Sequence, residues 1–222
     1  MSNEEILQLF NACTFDGVLT ENDFEDKVLS NLPDDLKYHY EYGATKLVIM
    51  LPDCDFVIKI PFSGSYQEFY QDKTDDYEEE YVEFENADFE TCEWDYCKTE
   101  VNRYNLAKNA GIEKYFAKTE YIGMVNNYPI YIQQKAEIFS EVKDLNSYSE
   151  EKKSSTREKC DKEDLWCFNE CWLSDLLDYC GDKIFSFFMS FIKDNDFDDL
   201  HSSNIGYING VPVLVDYSGF ND

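Results

Sequence analysis

Residues 198–219 read "DDLHSSNIGYINGVPVLVDYSG", with Asn209-Gly210 separating two apolar runs, Ile205–Ile208 and Val211–Val215. Asn-Gly favours a type I′ turn, because both of its central residues need positive φ. A two-residue turn also sets the register: 208 falls opposite 211, 205 opposite 214 and 204 opposite 215. Asn204 at the entrance and Asp216 at the exit therefore meet at the hairpin's open end. Asp199 precedes Asn204 by five residues, and the short loop "LHSS" lets it fold back to the same place. A carboxylate beside an amide oxygen suits a hard cation such as Mg²⁺, which keeps waters and shares phosphate oxygens. A further carboxylate can take a proton from an attacking hydroxyl. Asn and Asp also cap strands and turns, so the residues alone leave both readings open.

Upstream, "KLVIMLPDCDFVIKIPF" at 46–62 predicts two strands joined by the turn-forming run Pro52-Asp53-Cys54-Asp55. Phe56, Ile58 and Ile60 share one face of the second strand, and Val57 and Lys59 share the other. A lysine inside so apolar a strand snorkels, serves as an edge-strand charge, or finds an anion. Residues 93–109, "EWDYCKTEVNRYNLAKN", carry Cys97, Val101, Tyr104 and Ala107 or Lys108 at helical spacing, with Gly111 as the stop. Glu100 lies on that apolar stripe, where a carboxylate needs a cation, and Lys59 is the candidate. Glu93 is the second choice, and a solvated helix-face glutamate is the plain alternative. A second strand pair follows at 115–137, joined near Asn126-Asn127.

Taken together, "DLHSSN" followed by "VLVDYSG" resembles the catalytic and metal-binding segments of the protein-kinase-like superfamily. The motif style is that of its aminoglycoside and choline phosphotransferase branch and of small phage or bacterial kinase-like proteins. "FVIK" likewise resembles the strand whose lysine holds nucleotide phosphates. The resemblance implies an α+β, two-lobed kinase-like fold. A small antiparallel sheet and a helix form its N-lobe, and the C-lobe is reduced, mostly helical, with a catalytic-loop hairpin. It implies that Asp199 is the catalytic base, that Asn204 and Asp216 are metal ligands, and that Lys59 with Glu100 orients phosphates. It implies ATP and Mg²⁺ as cofactors. Phe197 stands where the family usually has histidine. The phosphate-covering loop is reduced to "YGATK" at 42–46, where Gly43 lets the backbone approach and the amides of Ala44, Thr45 and Lys46 can donate. The exit "YIQQKAE" is where the chain would cross between lobes and meet an adenine ring. Only "YSGFND" follows Asp216, so the usual acceptor-binding half is expected to be missing.

The expected organisation is an N-terminal helical extension at 1–36, an N-lobe at 37–136 and a C-lobe at 137–222. Two short helices are predicted in 1–36, the second starting near "TEND" and ended by Pro33. The acidic, aromatic stretch at 63–92 reads as an insertion with some helix. Residues 147–164, "SYSEEKKSSTREKCDKED", show no apolar period and read as a mobile loop. "IFSFFMSFI" at 184–192 is too short to span a membrane and reads as a buried helix.

The 222 residues carry a net charge of -28, with 17 Tyr, 17 Phe and 3 Trp, which separates the chain from disordered acidic tails. Such charge repels nucleic-acid backbones and anionic membranes and attracts basic protein partners. Eight cysteines, no C-x-x-C pair and two histidines argue against zinc, and with no leader pattern they point to a reducing, cytoplasmic setting. Two functions follow as expectations. One is a compact ATP- and Mg²⁺-dependent phosphotransferase acting on a hydroxyl acceptor. The other is a catalytically idle, kinase-like acidic protein, a pseudokinase or inhibitor that engages a basic partner surface.

Overall fold

The computed structural model describes residues 1–15, 18–70, 77–83, 95–143, 148–160, 169–195, 197 and 201–218. The chain is mixed α+β with small antiparallel sheets and several helices. It divides into two compact units, Met1–Val101 with Thr119–Gln134, and Asn102–Lys118 with Lys135–Asp222.

The first unit is built on a five-stranded antiparallel sheet. Its strands are β1 (His39–Tyr42), β2 (Lys46–Met50), β3 (Phe56–Pro61), β6 (Thr119–Val125) and β7 (Tyr128–Gln134), in the order β1-β2-β3-β7-β6. Strand parity sorts its side chains into two sets. Leu47, Ile49, Ile58, Ile60 and Ile130 join a core with Ile6, Phe10, Phe24 and Val28 from the N-terminal segment. The described part of 1–36 thus contributes side chains to this unit's core. It holds α1 (Asn3–Leu9), closed by a Ser2/Glu5 capping box, and α2 (Phe24–Lys27). The opposite parity brings Lys46, Lys59, Tyr131, Gln133 and Thr119 to the other face. The first turns of α3 (Tyr96–Asn109) belong to the same unit.

Strands β4 (Gly64–Tyr70) and β5 (Tyr77–Glu83) pair antiparallel, with Tyr66 opposite Tyr81. Among the described residues of 63–92 this hairpin is strand and not helix. A spacing of four between Tyr77 and Tyr81 fits one helical turn and one strand face equally well, and Tyr, Phe and Val favour the strand.

In the second unit β8 (Glu137–Ile138), β9 (Ile205–Ile208) and β10 (Val211–Leu214) form a sheet in the order β10-β9-β8. Its helices are α4 (Phe139–Val142), α5 (Glu150–Arg157), α6 (Glu170–Cys180) and α7 (Asp182–Asp194). Trp172, Phe185, Phe188, Ile205, Leu214, Phe116 and Tyr217 fill the core, and the Trp172 indole donates to the Gly206 carbonyl at 3.2 Å. Within the expected loop of 147–164, residues Glu150–Arg157 form helix α5. Ser149 caps it, two glutamates open it and Arg157 closes it, so its polarity along the axis suits the helix dipole without an apolar period. Helix α7, expected to be buried, is buried along one face, through Phe185, Phe188 and Ile192, while Ile184 and Phe187 are exposed. No described helix is long and apolar enough to cross a membrane.

Candidate functional site

In the first unit the site is one carboxylate and its donors. Lys59 points away from the apolar core because its parity on β3 is opposite to that of Ile58 and Ile60. Its Nζ lies 2.8 Å from Glu100 Oε1 and 2.9 Å from Oε2, on the first turns of α3. Lys46 Nζ reaches the same Oε1 at 2.9 Å. Thr119 Oγ1 donates to Oε2 at 3.1 Å and Gln133 Nε2 at 3.2 Å, and the Gln133 amide also donates to Thr119 at 2.8 Å. Glu100 is 0% exposed, Lys46 2% and Lys59 3%. A carboxylate this deeply buried stays ionised only where it is paired and its lone pairs are filled.

Next to it, Asp95 accepts from the Tyr131 hydroxyl at 2.5 Å and from the Lys98 amide at 2.9 Å, at the start of α3. Burial raises the Asp95 carboxyl above its ordinary value, against the pull of Tyr131 and the amide. Burial, then the Glu100 carboxylate, pushes the Cys97 thiol well up, so it is a packed thiol and not a nucleophile.

Lys59 and Glu100 were legible as partners from sequence, whereas the Lys46 ammonium, Thr119, Gln133, Asp95 and Tyr131 were not. Thr119 is instructive. Counting back from the Asn126-Asn127 turn places Glu120 opposite Gln133, but a bulge between Tyr121 and Gly123 shifts the register and sets Thr119 there instead. The bulge turns Glu120 outward and brings a neutral donor to Glu100. Glu93, the other candidate partner, lies outside the described residues.

The turn 43–46 joins β1 to β2. Gly43 N donates to Lys46 O at 3.1 Å, and Thr45 O accepts from Phe62 N at 2.8 Å. Gly43 and Ala44 are exposed, Thr45 and Lys46 buried. A Cβ on Gly43 meets nothing within 4 Å, so the turn itself does not require glycine.

In the second unit the hairpin has the register that its turn dictates, Val211 opposite Ile208 and Leu214 opposite Ile205, with φ of 51° at Asn209 and 78° at Gly210. At its open end Asn204 O accepts from Val215 N at 2.9 Å and from Asp216 N at 3.4 Å. Asn204 is buried and Asp216 half-buried, and Ser218 Oγ donates to Asp216 Oδ1 at 3.0 Å. Tyr217, the next residue, is held twice. Arg103 donates to its carbonyl at 2.7 Å, and its own hydroxyl donates to Ala117 O at 2.7 Å. Phe197 packs against Phe116 and Tyr217 with the Arg103 guanidinium 4.5 Å above its ring, so an aromatic plug occupies the position where the resemblance implies histidine. Asp199 lies outside the described residues.

The backbone bonds from the Val215 and Asp216 amides to Asn204 O bring Asn204 and Asp216 together, and amide and carboxylate oxygens are donor types that Mg²⁺ takes. Among the described residues no group of three or more His, Cys, Asp or Glu side chains is arranged to hold a metal. Comparison of the chain with protein-family models, with curated proteins and with solved structures finds no match.

Proposed function

We propose that this chain is a two-lobed, kinase-like phosphotransferase that uses ATP and Mg²⁺ and transfers to a hydroxyl acceptor. The observation that carries the reading is the buried contact of the Lys59 ammonium with both oxygens of Glu100 at 2.8 and 2.9 Å. The order of elements supports it. A strand pair with a lysine, a helix with a glutamate, a second strand pair, helices and an Asn/Asp hairpin follow one another as the resemblance implies. The change of unit between Gln134 and Lys135 falls within the segment read as the crossing.

In this reading Glu100 fixes the direction of the Lys59 ammonium toward phosphate oxygens, with Thr119 and Gln133 keeping the carboxylate in place. Asn204 and Asp216 would hold Mg²⁺, which when bound neutralises phosphate charge. Ser218 and Arg103 hold Asp216 and its neighbour steady. Asp199 takes the acceptor's proton.

The second reading, an idle acidic binding protein, is favoured by the 2–3% exposure of the two lysines and by the net charge of -28. Melting the protein with and without Mg-ATP separates the two. Nucleotide at about a hundredfold its Kd stabilises by about 2.7 kcal/mol, a rise of roughly 5–10 °C for a chain of this size. Asp216→Asn should remove the magnesium dependence of that rise. No rise at millimolar nucleotide ends the phosphotransferase reading.

A further inference from the structure

We propose that the second unit carries a docking groove for an arginine side chain on a basic segment of a partner protein, at the turn end of the β9–β10 hairpin. The groove has a volume of about 540 Å³, within the range of ligand-binding clefts. Its floor is one row across the sheet. Glu137 on β8 and Pro212 on β10 both lie opposite Tyr207 on β9, so the three side chains share a face. Its wall is one side of α6, where Asp175, Asp178 and Tyr179 stand at three- and four-residue spacing. Lys143, just past the end of α4, completes the lining. Asn204 and Asp216 lie at the other end of the hairpin, so the groove is separate from the candidate metal ligands.

One of the chain's own cations shows what the groove accepts. The Lys143 ammonium rests 4.5 Å above the Tyr207 ring and 3.3 Å from Asp175 Oδ2, on a side chain that is 36% exposed. This seat joins a ring face to a carboxylate. A planar guanidinium suits it better than an ammonium does, because it stacks on the ring and donates as a fork to the acid. Lys143 can leave at little cost, since so exposed an ion pair contributes little. Asp175 then keeps the hydroxyls of Tyr148 and Tyr207 at 2.6 and 2.7 Å and the Lys152 ammonium at 3.3 Å. Two exposed carboxylates, Glu137 and Asp178, complete the groove's acidic lining. Lys152 pairs with one Asp178 oxygen at 2.8 Å, and among the described residues no cation pairs with Glu137. With Lys143 turned to solvent, the lining carries three carboxylates and no cation. Its volume exceeds that of one arginine side chain, and Val142 and Pro212 offer apolar contact to the residues beside it. The net charge of -28 draws basic proteins to the chain, and the seat selects the side chain.

The test is titration of the ¹⁵N-labelled full chain with the blocked peptide acetyl-Gly-Ala-Arg-Ala-Gly-amide and with the same peptide carrying citrulline, which keeps the shape and loses the charge. The arginine peptide should move the amide resonances of Glu137, Lys143, Asp178 and Tyr207, and the citrulline peptide should leave them in place. An equal response to both, or none to either, overturns the proposal. Glu137→Gln together with Asp178→Asn should raise the Kd for the arginine peptide about tenfold. Asp34→Asn together with Glu41→Gln, an equal loss of charge on exposed residues of the first unit, should leave it unchanged. Equal weakening by the two pairs means diffuse attraction and overturns the proposal. Lys143→Ala opens the seat and should tighten binding about threefold or more, while Lys183→Ala, also exposed, should not. Affinity unchanged or lowered by Lys143→Ala contradicts the exchange. Spermidine that moves the same resonances at lower concentration than the peptide assigns the groove to a small polycation and overturns the partner segment as its occupant.

Discussion

Replacing Glu100 with glutamine removes one charge and almost no volume, so its cost isolates the electrostatics of the sheet's polar face. The carboxylate is 0% exposed and is shared by two ammoniums that are 2% and 3% exposed. Glutamine presents one oxygen and one amide. Its Oε1 can still accept from a lysine, but its Nε2 then faces the donors that now fill Oε2, namely Lys59, Thr119 and Gln133. Removing one partner of a buried pair costs about 3–5 kcal/mol. In a chain of this length that lowers Tm by roughly 6–20 °C. Lys46→Met should cost less, about 1–3 kcal/mol, because the carboxylate keeps an ammonium and two neutral donors. Urea unfolding followed by far-UV circular dichroism measures both. The Glu100→Gln penalty should persist in 1 M salt, since buried pairs are little screened. A loss under about 1 kcal/mol, or one that vanishes in salt, refutes the buried-pair account.

Asp95→Asn gives a pH signature. Burial holds the Asp95 carboxyl above its ordinary value, so the folded state binds that proton more tightly than the unfolded chain, and its contribution to stability falls as pH rises from about 4 through the folded value. The substituted amide keeps an acceptor for Tyr131 and Lys98 without that loss, so the variant should compare better with the parent at pH 7 than at pH 3.5; urea midpoints showing the reverse order contradict this. Arg103→Met removes the donor to Tyr217 O and the cation over Phe197, at about 1–2 kcal/mol, and should speed amide exchange at residues 215–218. Unchanged exchange there would mean that Arg103 does not steady the segment. Gly206→Ala places a Cβ 2.5 Å from the Glu137 carbonyl, so β8 must move from β9, at a cost of about 1–3 kcal/mol read in Tm. An unshifted Tm would show that β8 does not pair there.

What could be read from the sequence was set by local rules. The Asn209-Gly210 turn dictates its own register, so the meeting of Asn204 with Asp216 followed from counting. The Lys59–Glu100 pair followed from two opposite charges, one set in an apolar strand and the other on an apolar helix stripe, each needing the other once buried. The rest needed three-dimensional information. Lys46 joins Glu100 because β2 pairs with β3 in a register that no short turn imposes, the joining loop being Leu51–Asp55. Thr119 takes the place of Glu120 because of a bulge, which one inserted residue creates and no local pattern announces. Helix α5 was hidden because caps and end charges, not an apolar stripe, define it. The β4–β5 hairpin was hidden because aromatics four apart suit either periodicity.

The most direct test of the central claim is calorimetric titration of Mg-ATP into the unmutated chain and into Lys59→Met. The account predicts saturable, magnesium-dependent binding to the first, and at least a roughly tenfold weaker affinity in the second with adenosine binding unaltered. Equal Mg-ATP affinity in the two proteins, or no binding to either, would contradict it.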